Sequence, residues 1–116
     1  MLVKSNFSQQ RIEKLYQKEV ALILYQIIQT EHLPSFSLSY CVLSGRGESL
    51  RVYLNFFQAE NSGQLLELIQ KKYSPLIKKV LAKSKKFAYI PTLHFLVDEQ
   101  LELIQTLEKI KEKLIK

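Results

Sequence analysis

The chain has 116 residues, 47% apolar and 24% charged, with three glycines, three prolines and a single cysteine. This fits one domain, residues 1–116, that can bury a modest core without staples. Cys41 has no partner for an internal disulfide, and a lone thiol fits a reducing compartment. The start, MLVKSNFSQQ, has no continuous apolar run, and no stretch approaches the roughly 18 apolar residues of a membrane span, so the chain is expected in the cytoplasm, neither exported nor anchored.

From Ser8 the pattern is helical. Ile12, Leu15, Tyr16, Ile23, Leu24, Ile27 and Ile28 recur at three- and four-residue steps, with Arg11, Lys14, Gln17 and Lys18 on the outer side. His32-Leu33-Pro34 ends this helix. The period then drops to two. Phe36, Leu38, Tyr40 and Val42 alternate with Ser37, Ser39, Cys41 and Leu43, and later Leu50, Val52, Leu54 and Phe56 alternate with Arg51, Tyr53, Asn55 and Phe57. These are two strands, and the segment Ser44-Gly45-Arg46-Gly47-Glu48-Ser49 between them predicts a hairpin.

Asn61-Ser62-Gly63 opens a second helix, carrying Leu65, Leu66, Leu68 and Ile69 to about Lys72. Ser74-Pro75 then interrupts it: proline disfavours the α conformation at Ser74 and lacks an amide hydrogen, but fits the first position of a new helix that Ser74 can cap. Tyr73, Ser74 and Pro75 therefore mark a kink. Tyr89-Ile90-Pro91 ends the second half of the pair. Leu93, Phe95 and Val97 alternate with Thr92, His94 and Leu96 as a third strand, and Asp98 caps a final helix from about Glu99, with an apolar stripe through Leu101, Ile104, Leu107 or Leu103, Ile110 and Leu114.

The positive charge has one source. Lys71, Lys72, Lys78, Lys79, Lys83, Lys85 and Lys86 lie together with no acid among them, and without them ten basic residues would face eleven acidic ones. At 100° per residue, Lys78, Lys79, Lys83, Lys85 and Lys86 span roughly 160° of the helix after the kink, opposite Leu76, Ile77, Val80, Leu81 and Phe87. Such a field is a candidate polyanion footprint, because lysines neutralise phosphates and release their counterions. The reading places Lys78, Lys79, Lys83 and Lys86 on phosphates, flanked by Lys71, Lys72 and Lys85. An ordinary solvated face would favour interleaved acids at i,i+4, and the run contains none. Arg46 and Arg51 either extend this surface from the hairpin or are plain solvent-facing residues. Tyr53 and Phe57 are expected to pack beneath a helix, with stacking on bases as the alternative.

The order α-β-β-α-kink-α-β with a C-terminal helix and a three-stranded sheet packed on helices is α+β, and resembles the type II KH domain. Such domains bind single-stranded RNA through a Gly-X-X-Gly loop, which the three glycines at 45, 47 and 63 do not provide. Three stretches are similar to the ribosome-binding factor A family, which is KH-like with a kinked helix pair in place of that loop. They are Arg11-Ile12 followed by Lys18-Glu19-Val20-Ala21-Leu22-Ile23-Leu24; Val42-Leu43-Ser44 followed by Arg51-Val52-Tyr53-Leu54 and Phe56; and Ile90-Pro91-Thr92-Leu93-His94-Phe95 with Asp98, the most specific. Tyr73-Ser74-Pro75 stands where the family usually shows Ala-X-Gly at the kink, and Arg46-Gly47 where it commonly has Asp-Leu. The resemblance implies a ribosome assembly factor that binds the free 30S small subunit and its 16S rRNA, assists late rRNA processing, leaves before translation and matters in the cold; the chain is expected to act as a monomer.

Other classes fit less well. Cys41, His32, His94 and Asp98 are the only ingredients for catalysis or metal binding, and no CxxC, HxxxH, HExxH or Gly-rich phosphate loop occurs, so neither an enzyme, a cofactor nor a small-molecule substrate is expected. A basic amphipathic membrane-surface helix is the principal rival, set against by the need of the other elements for an apolar cover. A DNA-binding domain lacks any helix-turn-helix or zinc spacing.

Overall fold

The computed structural model describes residues 7–57 and 62–99, together with positions 107 and 110. The final helix expected after Asp98 lies outside them, apart from helical Glu99, Leu107 and Ile110.

Helix α1, Phe7–Glu31, buries Tyr16, Val20, Ile23, Leu24 and Ile27, most of the stripe its period predicts, while Ile12 stays exposed. It stops where expected, by a Schellman turn. His32 is left-handed at φ 54°, and the Leu33 N–H donates to the Ile28 carbonyl at 3.2 Å while both side chains pack on the core.

Strands β1, Phe36–Leu43, and β2, Ser49–Phe56, pair antiparallel, and β3, Thr92–Val97, runs parallel to β2, giving a sheet of order β1-β2-β3. The hairpin forms as expected: Gly47 takes φ +75°, its N–H donates to the Ser44 carbonyl at 2.9 Å, and Ser44 Oγ accepts from the Ser49 amide at 3.1 Å. In the central strand Leu50, Val52, Leu54 and Phe56 all face the core. The simple alternation expected for β1 does not hold. The register shifts between Leu38 and Tyr40, and beyond it Cys41 and Leu43 are buried while Tyr40 turns outward. One extra residue reverses the facing of everything after it, which hydropathy alternation alone cannot register.

Between β2 and β3 the chain stays helical from 62 to 84, as α2, Ser62–Leu68, a π-turn, Ile69–Tyr73, and α3, Ser74–Ser84. The interruption expected at Ser74-Pro75 is therefore a widening. Ser74 is itself helical (φ −55°, ψ −46°) and its N–H donates to the Ile69 carbonyl, five residues back; Tyr73 takes the N-cap position without a side-chain capping bond. Pro75 explains this. Its ring would strike the carbonyl four residues back and it offers no N–H to that group, so the chain enlarges the preceding turn and keeps helical dihedrals. As a result the buried apolar positions follow a four-residue step: Leu65, Ile69, Tyr73, Ile77 and Leu81. Lys85, left-handed at φ 60°, ends α3.

Helix side chains close both outer edges of the sheet. From α1, Glu13 Oε2 accepts from the Leu43 amide at 2.8 Å, Gln17 Oε1 from the Cys41 amide at 3.1 Å, and Gln9 Nε2 donates to the Ser44 carbonyl at 3.0 Å. From the π-turn, Gln70 Nε2 donates to the Leu93 carbonyl at 3.0 Å and its Oε1 accepts from the Phe95 amide at 2.8 Å. The Gln70 amide thus mimics one residue of a further strand, satisfying an edge that would otherwise present unpaired backbone groups. The helices cover one face of the sheet; Tyr40, Arg51 and Tyr53 mark the other.

Candidate nucleic-acid interface

The seven lysines do not form one uniform face. Lys71 pairs with Glu67 at 2.8 Å, Lys72 approaches Glu31 at 3.9 Å, and Lys86 bridges to Glu19 of α1 at 2.8 Å. The acid-free run thus finds its counter-ions outside itself, one of them at i−4. The Glu67 carboxyl is held below its ordinary range by its hydrogen bond from Lys71, whose ammonium is correspondingly held up. Among the described residues Lys78, Lys79, Lys83 and Lys85 have no carboxylate within 4 Å. Lys86, expected on a phosphate, is instead tied to α1, and with Lys85 it lies past the end of α3.

The expected separation of charge and core on α3 also fails. Only Ser74, Ile77 and Leu81 are buried, while Leu76 is 46% and Val80 40% exposed. A helix lying on α1 and the sheet turns only one narrow stripe inward, and the widened turn sets which stripe that is. Leu76, Lys79, Val80 and Lys83 consequently share the exposed side at i, i+3, i+4, i+7 spacing. Beside Leu76 and Val80 runs a groove of about 340 Å³ between α3 and α1, floored by Ile23 and Ile27 and bordered by Gln26 and Thr30. Glu31 also lines it, accepting from the Tyr73 hydroxyl at 3.0 Å and attracting Lys72, whose ammonium lies 5.3 Å from the Tyr73 ring centroid.

The two arginines part company. Arg46, on the hairpin, lines a second groove with Lys86, Phe87 and Tyr89, where the Phe87 ring stacks on Tyr16 at 4.2 Å and the Tyr16 hydroxyl donates to the Tyr89 carbonyl. Arg51 sits on the opposite face of the sheet, which α1–α3 leave uncovered, in a depression with Tyr40, Tyr53, Leu96 and Glu99. Tyr53 and Phe57 do not pack beneath a helix among the described residues: Tyr53 stacks on Tyr40 at 4.5 Å and Phe57 is 61% exposed. Tyr53 has odd-numbered phase on β2, which faces away from α1–α3, and Phe57 follows directly after the strand.

No chemistry gathers around the remaining candidates. Burial pushes the Cys41 thiol up to about 12, so it is a packing residue rather than a nucleophile. His32 supplies the left-handed turn after α1, and His94 is exposed on β3. Among the described residues no group of three or more His, Cys, Asp or Glu side chains is placed to hold a metal, and no helix is long and apolar enough to cross a membrane.

Known proteins resemble this chain in sequence and in fold. Ribosome-binding factor A of two Coxiella burnetii strains, Dugway 5J108-111 and RSA 331, is 22% identical over 108 residues, covering 93% of this chain and 90% of theirs. The crystal structure of ribosome-binding factor A from Thermus thermophilus superposes with a TM-score of 0.63 at 22% identity, over 76% of this chain and 92% of that one. A homology model of the Thermus thermophilus factor, fitted into a cryo-EM map of its complex with the 30S subunit, superposes at 0.54 with 22% identity, over 74% and 90%. The family profile described as "Ribosome-binding factor A" matches residues 8–111. The chain belongs to the ribosome-binding factor A family.

Proposed function

We propose that this chain is a ribosome assembly factor: a single-domain, cytoplasmic, non-enzymatic protein that binds the free 30S subunit, contacts its 16S rRNA and assists late rRNA processing. Family membership supports the ribosomal setting, and so does the 30S complex into which the Thermus thermophilus relative was fitted. The observation on this chain that carries the reading is the set Lys78, Lys79, Lys83 and Lys85, which have no carboxylate partner among the described residues. Ammonium groups without such a partner are available to phosphates. Lys71, Lys72, Lys86 and Arg46 flank them, each of the three lysines already sharing its charge with an acid. Arg51 belongs to this interface only if RNA also reaches the far side of the sheet.

The test is sedimentation of cell extract on a gradient. The factor is expected with free small subunits and absent from translating ribosomes, and its loss should leave 16S rRNA precursors that accumulate further in the cold. An even spread across all fractions, or recovery with anionic vesicles in preference to small subunits, would refute the assignment.

A further inference from the structure

We propose that the groove between α1 and α3 receives an unpaired nucleobase of the RNA strand whose phosphates the α3 lysines hold, an inference that rests on the RNA-binding reading above. Three features carry it. The groove is lined by Ile23, Ile27, Leu76 and Val80, and the last two stay exposed although a helix of this composition could have turned them inward. Flat aromatic bases gain from burial against such a wall whatever their identity. On the α1 side stand Gln26 and Thr30, an amide and a hydroxyl able to donate and accept, the complement of a base edge splayed out of a strand. On the α3 side Lys79 and Lys83, one turn and roughly 5–6 Å apart, alternate with Leu76 and Val80 along a single stripe. Cation and apolar contact are thus offered at the repeat of one nucleotide: phosphate on the ridge, base in the groove. Lys79 and Lys83 have no carboxylate within 4 Å among the described residues, which favours a polyanion, and Glu31, which also lines the groove, is engaged by the Tyr73 hydroxyl and Lys72. The alternative backbone site is taken, because Gln70 already occupies the outer edge of β3 beside the π-turn.

The test uses the full chain and two fluorescent probes of equal length, a single-stranded oligoadenylate and the same ribose-phosphate strand without bases, titrated over a range of salt. The base-bearing strand is expected to bind about tenfold more tightly. Leu76→Ser with Val80→Ser, both at exposed positions, should abolish that difference and leave the salt slope unchanged. Lys79→Ala should instead weaken both probes and lower the slope by roughly 0.7. Equal affinity of the wild type for the two probes, with a normal salt slope, overturns the base site and leaves the phosphate site standing. Failure of the wild type to bind either probe overturns both. Capture of an acidic amphipathic peptide by the same groove, lost in the Leu76/Val80 variant while base dependence is absent, overturns the proposal in favour of a protein partner.

Discussion

Replacing Gln70 by alanine removes a side chain that reads on the sequence as an unremarked polar residue between Ile69 and Lys71. Its amide makes two hydrogen bonds to β3, at 3.0 Å to the Leu93 carbonyl and 2.8 Å from the Phe95 amide, both partly buried. Each such bond contributes about 1 kcal/mol net, and backbone groups stranded without a partner cost more, so the loss should be about 2 kcal/mol. For a chain of 116 residues, unfolding entropy of about 2.1 cal/mol/K per residue converts this to a fall in Tm of about 8 °C. Calorimetry and urea unfolding measure the loss, and amide hydrogen exchange localises it, with Phe95 expected to lose protection first. Gln70→Glu sharpens the test. The ionised carboxylate keeps the acceptor for Phe95 but cannot donate to Leu93, so its folded-state pKa is expected to rise. Its destabilisation relative to wild type, compared at equal pH, should therefore be small near pH 4 and grow as pH rises towards neutrality. A Gln70→Ala protein within about 0.5 kcal/mol of wild type, with Phe95 exchange unchanged, would refute the account of this edge.

Other consequences can be measured separately. If Lys78, Lys79, Lys83 and Lys85 each neutralise one phosphate of a single strand, log affinity should fall against log salt with a slope of about −2.8, or roughly 50-fold between 50 and 200 mM; fluorescence anisotropy reads this, and Lys79→Ala with Lys83→Ala should halve the slope while Lys71→Ala leaves it nearly intact. Leu81→Ala should cost 2–5 kcal/mol in urea unfolding and Leu76→Ala less than about 1, a contrast that the helix phase predicted from sequence denies. Cys41 should resist alkylation in the folded protein at pH 8 and react on unfolding. With its folded pKa raised to about 12, its contribution to stability is complete below about pH 9 and lost as pH climbs beyond, so Cys41→Ala should show a shallower alkaline decline than wild type.

Much of this architecture was legible because it depends on local rules. The four-residue steps of α1, the two-residue steps of β2 and β3, and the glycine turn at 47 each leave a mark on neighbouring residues. What escaped depends on a single inserted residue or on distant partners. The bulge in β1 lies among Leu38, Ser39 and Tyr40, none of which signals an extra residue, so plain alternation puts Cys41 and Leu43 on the wrong face. Pro75 announces a break but not its form, since enlarging a turn and interrupting a helix both relieve the same clash. The lysine run was visible in full, yet its neutralisation was only partly so: Glu67 stands at i−4 from Lys71, whereas Glu19 is 67 residues from Lys86. Gln9, Glu13 and Gln17 recur at four-residue steps on α1, a polar stripe that looks solvated until a strand edge is placed against it.

The π-turn acts as a phase shifter for everything after it. In an uninterrupted α-helix a strict four-residue step drifts by about 40° each time, so a stripe begun at Leu65 would have wandered off the core well before Leu81. Closing one turn over five residues takes out part of that drift, which keeps Ile77 and Leu81 inward and holds Leu76 and Val80 out. Rewinding 69–73 as ordinary α-helix with every residue kept would turn α3 about its axis, carrying Leu76 and Val80 towards the core and moving Lys79 and Lys83 with them, whereas removing one residue together with the bulge would leave its phase nearly unchanged. The surface this protein presents after the turn is therefore set less by which residues α3 contains than by how the turn before it is wound.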